Sequence, residues 1–261
     1  MRCHAFKLIE LLHRTIEESL ESNAQSFDSW DENHLTIEWL KDIRRALTNS
    51  NERSGSINLE MAAFRLSGHQ ETLFGDVAIL ARILPAGATT PFLGTAFLEA
   101  KRSNYKEPLN YNGFREDQRK RVSAGNPHHR YVFYRRKSYS QELWSEQAFM
   151  QAAYPFLVQM RRSSVQPTYL IPCYRTPLGD SVFDAGIPLS RQIFRYCYGW
   201  DLDIQPDDAH PVVLPEGVSF VLVIAVGHDN AEAPELPEAP EGYVPLNGGD
   251  DYRPISGGAS S

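Results

Sequence analysis

Residues 75–101 read GDVAILARILPAGATTPFLGTAFLEAK, and this stretch decides how the chain folds. Two runs rich in Val, Ile, Leu, Phe and Ala flank the loop from Pro85 to Pro91, which holds two prolines and a glycine. Apolar runs separated by such turn residues predict β-strands, here over residues 75–84 and 94–101. The stretch therefore predicts two neighbouring antiparallel strands.

The pairing of these strands decides which polar side chains meet. If the chain folds back about residues 88–89, Asp76 lies opposite Lys101 and Ala78 lies opposite Glu99. Directly opposed residues share a face of the sheet, and so do residues i and i+2 of one strand. We therefore expect Asp76, Glu99 and Lys101 to project from one side. A slip of one residue would put them on opposite sides.

Two carboxylates and one ammonium are costly to bury unless they are paired. They suit a divalent cation, because Mg²⁺ prefers hard oxygen ligands and takes one or two carboxylates together with waters and phosphate oxygens. Asp76, Glu99 and the carbonyl of Ala100 are the candidate ligands. Lys101 would orient or deprotonate an attacking water, or stabilise charge that grows on a phosphate. The alternative is a surface hairpin with a cross-strand ion pair, worth at most about 1 kcal/mol.

The rest of the chain alternates helices and strands. Apolar periodicity predicts amphipathic helices over 5–21 and 34–48, with Asp31 as the N-cap of the second. Further predicted elements are a strand at 57–66, a charged helical segment at 114–124, a strand at 130–134, a helix at 142–162, a strand at 168–174, a helix at 190–198 and a strand at 218–226. The last strand has no polar alternation, which is typical of a strand covered on both faces. The expected fold class is mixed α/β, a central mixed β-sheet flanked by helices.

The order of these elements around the two carboxylates resembles a known family. A helix, a three-stranded meander with Asp76 on strand two and Glu99-Ala100-Lys101 on strand three, and then a polar helix and a strand resemble the PD-(D/E)xK nuclease superfamily. The likeness covers roughly residues 30–137. It implies a restriction-endonuclease-like core with a C-terminal elaboration, and catalysis by Asp76, Glu99 and Lys101 with Mg²⁺ or Mn²⁺.

The resemblance also assigns two accessory residues. Members often carry Gln on the helix after the Lys, which makes Gln118 an accessory catalytic residue. Members often have a metal-binding Glu on the helix before the meander; Glu38 is the best match, and Glu10 and Glu17 are weaker matches. Gly75 stands where many members have Pro.

The charge distribution favours a nucleic-acid partner, although the net charge of the chain is −7. Residues 229–261 hold seven acidic residues and one basic residue, so residues 1–228 carry only about −1. Residues 101–137 hold eleven Lys and Arg against three acidic residues, which is the local basic stretch that phosphate attraction requires. The expected nucleic-acid-binding residues are Arg102, Arg115, Arg119, Lys120 and Arg121.

Composition sets the expected organisation. We expect a single nuclease-like domain over 1–228, with its core at 30–137 and an extension over 138–228, followed by an acidic, Pro- and Gly-rich flexible tail over 229–261. No apolar run reaches the length of a membrane span, and the start of the chain lacks the apolar region of a secretory signal. Three widely spaced cysteines suit reduced thiols, so we expect a cytoplasmic protein.

The sequence therefore predicts a metal-dependent phosphodiester hydrolase, by resemblance a DNA endonuclease in defence against phage or foreign DNA. The residues do not distinguish DNA from RNA. The resemblance also implies a homodimer or a separately encoded partner protein. The alternative is a catalytically inactive subunit with a nuclease fold that binds a partner protein or nucleic acid.

Overall fold

A computed structural model of the protein describes residues 2–24, 31–49, 57–66, 76–102, 130–134, 169–172, 187–206 and 218–246. The helices in these ranges are α1 (Arg2–Asn23), α2 (Glu32–Asn49) and α3 (Leu189–Cys197). The strands are β1 (Ile57–Leu66), β2 (Val77–Leu84), β3 (Phe92–Arg102), β4 (Arg130–Tyr134), β5 (Tyr169–Pro172), β6 (Ile187–Pro188), β7 (Asp203–Pro206), β8 (Phe220–His228) and β9 (Tyr243–Pro245). The predicted helices at 114–124 and 142–162 lie outside the described residues.

The strands form one mixed sheet in the order β6-β5-β4-β3-β2-β8-β1-β9, with β7 paired to the remaining part of β3. β3 runs parallel to β4 and β2 runs parallel to β8, whereas the other pairs are antiparallel. The predicted fold class, a mixed α/β protein with a central mixed sheet and flanking helices, is confirmed. No helix within the described ranges is long and apolar enough to cross a bilayer.

β8 lies in the middle of this sheet. It pairs with β1 on one side and with β2 on the other, and its residues from Phe220 to Gly227 are buried. The prediction that this apolar strand is covered on both faces is therefore confirmed. The predicted three-stranded meander is wrong, because β1 and β2 are separated by β8. A strand without polar positions is stable only where neighbouring strands and the layers on both faces of the sheet keep water away from it. The centre of the sheet is such a place.

β2 and β3 form the predicted hairpin in a different register. Ala78 pairs with Phe97 and not with Glu99, so the predicted pairing is wrong by two residues. The turn explains the shift: Ala88 donates its N–H to the carbonyl of Pro85 (3.1 Å), and Gly87 has φ +72°. A tight turn with a left-handed third residue favours glycine at that position. The pairing of the two strands centres the whole loop between Gly87 and Ala88. Because the shift is two residues, the side chains of β3 keep their faces.

The two faces of the sheet are covered differently. α1, α2 and α3 pack on the first face, over strand residues such as Val77, Leu98 and Ala100. The second face carries a smaller apolar cluster, on which parts of the segment 229–246 pack. We call this the second-face cluster; it consists of Ala62, Phe64, Ala78, Leu80, Phe97, Val218, Val221 and Val223.

The segment 229–246 belongs to the folded domain. It ends in β9, which pairs with β1, and Leu246 donates its N–H to the carbonyl of Ala63 (3.0 Å). The predicted boundary of a flexible tail at Asp229 is therefore wrong for residues 229–246. Their backbone has partners on the sheet edge, and the side chains of Leu236, Ala239 and Tyr243 pack on the second face.

Candidate active site

The C-terminal end of β3 extends past the beginning of β2. β2 begins at Val77, opposite Leu98, so no strand among the described residues accompanies residues 99–102 on that side. The backbone N–H groups of Ala100 and Arg102 nevertheless have partners. Ala100 donates to Oδ2 of Asp76 (2.6 Å), and Arg102 donates to Oε2 of Glu32 (3.1 Å). The carboxylates of Asp76 and Glu32 therefore accept the hydrogen bonds that a neighbouring strand would otherwise accept.

Asp76 stands at a bend immediately before β2. Its N–H donates to the carbonyl of Leu98 on β3 (2.9 Å), and its own carbonyl accepts from the N–H of Phe220 on β8 (2.8 Å). In a regular strand the N–H and the C=O of one residue point to the same neighbouring strand. Those of Asp76 point to different strands, so the backbone is not regularly extended at this residue. The bend lets the carboxylate reach the backbone of β3, and it explains why β2 begins two residues later than predicted.

Glu99 and Lys101 lie on the same face of β3 as Phe97, because side chains alternate along a strand. They are 2% and 5% exposed. Lys101 Nζ lies 2.5 Å from Oε1 of Glu99 and 3.9 Å from Oε1 of Glu32. The structure thus brings together all three residues that were predicted to meet, and it adds Glu32.

Electrostatics at this site is unbalanced, since three carboxylates face one ammonium. Burial raises the pKa of Asp76 well above its ordinary value, and the charges of Glu99 and Glu32 add to this effect. Burial also raises the pKa of Glu32 to about 7, although Lys101 opposes the shift. The predicted alternative of a surface ion pair does not hold, because the pair is buried and the surrounding negative charge is in excess.

Lys101 keeps its proton in this environment. Burial acts to lower the pKa of its ammonium, but the carboxylates of Glu99, Glu32 and Asp76 outweigh burial and hold the pKa above its ordinary value. Three nearby negative charges stabilise the protonated form. Lys101 is therefore a cation and a hydrogen-bond donor at neutral pH.

Three side chains fix α2 so that Glu32 reaches this site. The indole N–H of Trp39 donates to the hydroxyl of Tyr134 on β4 (2.6 Å), which lies 3.0 Å from Oγ1 of Thr36. Thr36 donates its own hydroxyl to the carbonyl of Glu32 (2.8 Å), so Tyr134 donates to Thr36. Asp31 accepts from the N–H groups of Asn33 and His34, which confirms it as the N-cap. Helix α2 thereby begins beside the end of β3.

Glu38, the helical residue predicted to bind metal, is not brought to the site. It pairs with Lys41 (2.9 Å) and lies six residues, about 9 Å, further along α2 than Glu32. Glu10 and Glu17 lie on α1. The sequence analysis did not select Glu32, because it chose the glutamate of α2 that lies nearer to β1 in the sequence. The useful signal was its place directly after the N-cap Asp31, in the first turn of the helix.

A hard cation would find suitable donors here: the carboxylates of Asp76, Glu99 and Glu32. The carbonyl of Ala100 faces the same side as its N–H, beyond the beginning of β2. Among the residues that the structure describes, however, no three His, Cys, Asp or Glu side chains converge on one point. The Lys101 ammonium lies between Glu99 and Glu32, so an ion bound by both requires Lys101 to move.

Of the remaining predicted site residues, the structure describes only Arg102. Arg102 ends β3, and its backbone holds Glu32. The accessory Gln118 and the predicted nucleic-acid-binding residues Arg115, Arg119, Lys120 and Arg121 lie outside the described ranges.

No protein-family model matches the chain, and neither do any curated proteins or solved structures.

Proposed function

We propose that the protein is a metal-dependent nuclease that hydrolyses phosphodiester bonds, with DNA as its substrate. The observation that carries the proposal is the group of Asp76, Glu99, Glu32 and Lys101 at the free end of β3, in which Glu99 and Lys101 are buried and Asp76 and Glu32 are partly buried. Its excess negative charge favours a divalent cation, and its lysine favours a phosphate. The PD-(D/E)xK resemblance, a restriction-endonuclease-like core and a role in defence against foreign DNA are part of the same proposal.

Each residue has a distinct part in this reaction. Asp76, Glu99 and the Ala100 carbonyl would hold Mg²⁺ or Mn²⁺, and Glu32 takes the place proposed for the helical glutamate. A bound ion supplies Lewis acidity and lowers the pKa of a bound water. Lys101 donates hydrogen bonds to the attacking water and to the phosphate. Lys101 would also stabilise the negative charge that grows on the phosphate.

Supercoiled plasmid provides the test. The wild-type protein with Mg²⁺ or Mn²⁺ should nick or linearise the plasmid, and Asp76→Ala and Lys101→Ala should each lower the rate by about 100-fold or more. Glu38→Ala is the matched control, because Glu38 is an acidic residue of α2 that pairs with Lys41 away from the site. If Asp76→Ala and Lys101→Ala cleave the plasmid as fast as wild type, the assignment of the active site is wrong.

The second candidate function is a nuclease-fold subunit that binds a partner and does not cut. The ion pair between Lys101 and Glu99 favours it, because the lysine already neutralises one candidate ligand. Calorimetric titration with Mn²⁺ separates the two functions. Heat of binding that is lost in Asp76→Ala supports the nuclease, whereas no heat together with stable association with a second protein supports the subunit.

A further inference from the structure

The ammonium of Lys101 lies where the candidate active site would hold a metal ion. Its Nζ lies 2.5 Å from Oε1 of Glu99 and 3.9 Å from Oε1 of Glu32. The side chains of Lys101 and Glu99 are both almost completely buried. An ammonium and a divalent cation bind the same carboxylate oxygens. The two cations therefore exclude each other from the oxygens of Glu99 and Glu32.

The carboxyl groups around Lys101 have anchors of their own. Oδ2 of Asp76 accepts the N–H of Ala100 (2.6 Å), and Oε2 of Glu32 accepts the N–H of Arg102 (3.1 Å). Glu99 belongs to the part of β3 that pairs with β4. If the ammonium leaves, three carboxyl groups remain at the end of β3, and two of them are still bonded to its backbone. The donor set for a metal ion is therefore present without Lys101.

The charges at the site favour a divalent ion over the ammonium. Lys101 brings one positive charge to three carboxyl groups, and the charges of Glu99 and Glu32 still raise the pKa of Asp76 while Lys101 is in place. A divalent ion brings two positive charges. Loss of the ammonium without a replacement would leave the buried Glu99 carboxylate unpaired, which is costly. Departure of the ammonium is thus linked to the arrival of the metal.

The exchange requires no movement of the backbone. Lys101 is the last residue but one of β3, and its charge lies at the end of a flexible stem of four carbons. Rotations within this stem move the ammonium away from Glu99 and Glu32. The hydrogen bonds of Ala100 and Arg102 on either side of Lys101 involve only their backbone N–H groups and can stay as they are.

We propose that Lys101 is an internal counterion that competes with the divalent cation: its ammonium neutralises Glu99 and Glu32 in the metal-free protein and leaves them when the metal binds. This inference rests on the proposed function, because the metal is that of the proposed nuclease site. Lys101 thereby sets the affinity of the site for metal, in addition to its part in hydrolysis.

Calorimetric titration with Mn²⁺ tests the competition. Lys101→Met keeps a long unbranched side chain and removes the charge, and Lys41→Met is the matched control because Lys41 pairs with Glu38 on α2, away from the site. Lys101→Met should bind Mn²⁺ about tenfold or more tightly than wild type, because the metal no longer has to displace a buried ion pair. Lys41→Met should match wild type. Adding Asp76→Ala to Lys101→Met should remove the tight binding.

Stability gives a second measurement on the same variants. Without metal, Lys101→Met should unfold at a lower urea concentration than wild type, because the Glu99 carboxylate has lost its counterion. Saturating Mn²⁺ should raise the midpoint of Lys101→Met by more than that of wild type, since a ligand stabilises the protein in proportion to its affinity. A lysine with a purely structural role would give the loss without this recovery.

Reductive methylation of the wild-type protein tests the displacement without any substitution. Mass spectrometry measures the rate at which each lysine gains methyl groups. Lys101 should react slowly without metal, because its ammonium is buried and paired. Saturating Mn²⁺ should raise its rate severalfold and leave the rate of Lys41 unchanged. This measurement decides the matter if Lys101→Met does not fold.

Two results would overturn the counterion role: Mn²⁺ binding by folded Lys101→Met that is no tighter than that of wild type, or methylation of Lys101 that Mn²⁺ does not accelerate. The outcomes also separate this inference from the proposed function. Tighter binding of Mn²⁺ by Lys101→Met, in a protein whose wild type never cuts plasmid, would support the counterion role and remove the nuclease proposal. Plasmid cleavage that depends on Asp76, with equal Mn²⁺ affinities of Lys101→Met and wild type, would do the reverse.

Discussion

Glu32 and Lys101 show how a single residue acquires its chemistry from its position. Glu32 is the first residue of α2, where an acidic side chain stabilises the positive end of the helix dipole. Here it also accepts the N–H of Arg102 and faces Lys101. Its pKa of about 7 follows first from burial, so the residue changes its charge near neutral pH.

A pH titration of stability tests this environment at the residue scale. Burial raises the pKa of Glu32 from 4.5 to about 7, so the folded protein favours the protonated form. The stability that this group contributes is present below about pH 4.5 and is lost as the pH rises towards 7. Relative to wild type, the metal-free Glu32→Gln protein should gain up to about 3 kcal/mol over this range.

Urea unfolding at intervals between pH 4.5 and 7.5 measures the difference, with Glu38→Gln as the control. Glu38 pairs with Lys41 on a partly exposed helix face, so this control should follow the wild-type curve closely. A constant offset between Glu32→Gln and wild type across the range would contradict the assigned pKa.

At the scale of elements, the contact between α2 and β4 determines which carboxylate reaches the site. Trp39, Thr36 and Tyr134 are buried and hydrogen-bonded to one another, so the helix has one rotation about its axis that satisfies all three. A helix turned by one residue would leave the indole N–H unpaired. Buried polar groups without partners are costly, which makes this network specific as well as stabilising.

Tyr134→Phe removes the hydroxyl at the centre of this network. The indole N–H of Trp39 then loses its acceptor, and the free energy of unfolding should fall by about 1–3 kcal/mol. Cleavage should fall as well, because Glu32 is held less firmly. Chemical denaturation and the plasmid assay measure the two effects.

Tyr243→Phe serves as the comparison, since its hydroxyl bonds only the carbonyl of Val218 in a half-buried contact. It should leave plasmid cleavage within about twofold of wild type. Loss of cleavage in Tyr243→Phe with full cleavage in Tyr134→Phe would show that the network of α2 does not position the site.

At the scale of the whole molecule, the sheet depends on a strand from the end of the chain. β8 joins β1 to β2, so the first and second strands meet only through residues that lie more than 130 positions away. The predicted core at 30–137 therefore lacks the strand at its own centre. The same strand anchors Asp76 through the N–H of Phe220.

Truncation tests this dependence. A chain that ends at residue 217 should show no cooperative unfolding transition, because β1 and β2 lose the neighbour that buries their facing edges. A chain that ends at residue 246 keeps β8 and β9 and should unfold with a midpoint close to that of the full chain. Cooperative unfolding of the shorter chain, followed by circular dichroism, would contradict the central role of β8.

Local patterns of the sequence determined the elements. The bounds of β1 and β4, the course of α1 and α2, the N-cap Asp31 and the burial of β8 all agree with the structure. The shared face of Glu99 and Lys101 follows from the same kind of rule, because alternation along a strand needs no knowledge of its partner. Helix periodicity and strand alternation are consequences of backbone geometry within a few residues, which any sequence displays directly.

Tertiary structure alone decided which elements meet. It placed β8 between β1 and β2, shifted the hairpin by two residues, brought Glu32 and not Glu38 to Lys101, and packed residues 236–243 on the second face. Apolar strands of similar composition look alike in the local sequence, so the sequence pattern does not show which strand pairs with which. The pairing depends on the burial of all strand and helix faces at once. The free energy of this burial comes from contacts between residues that are far apart in the chain.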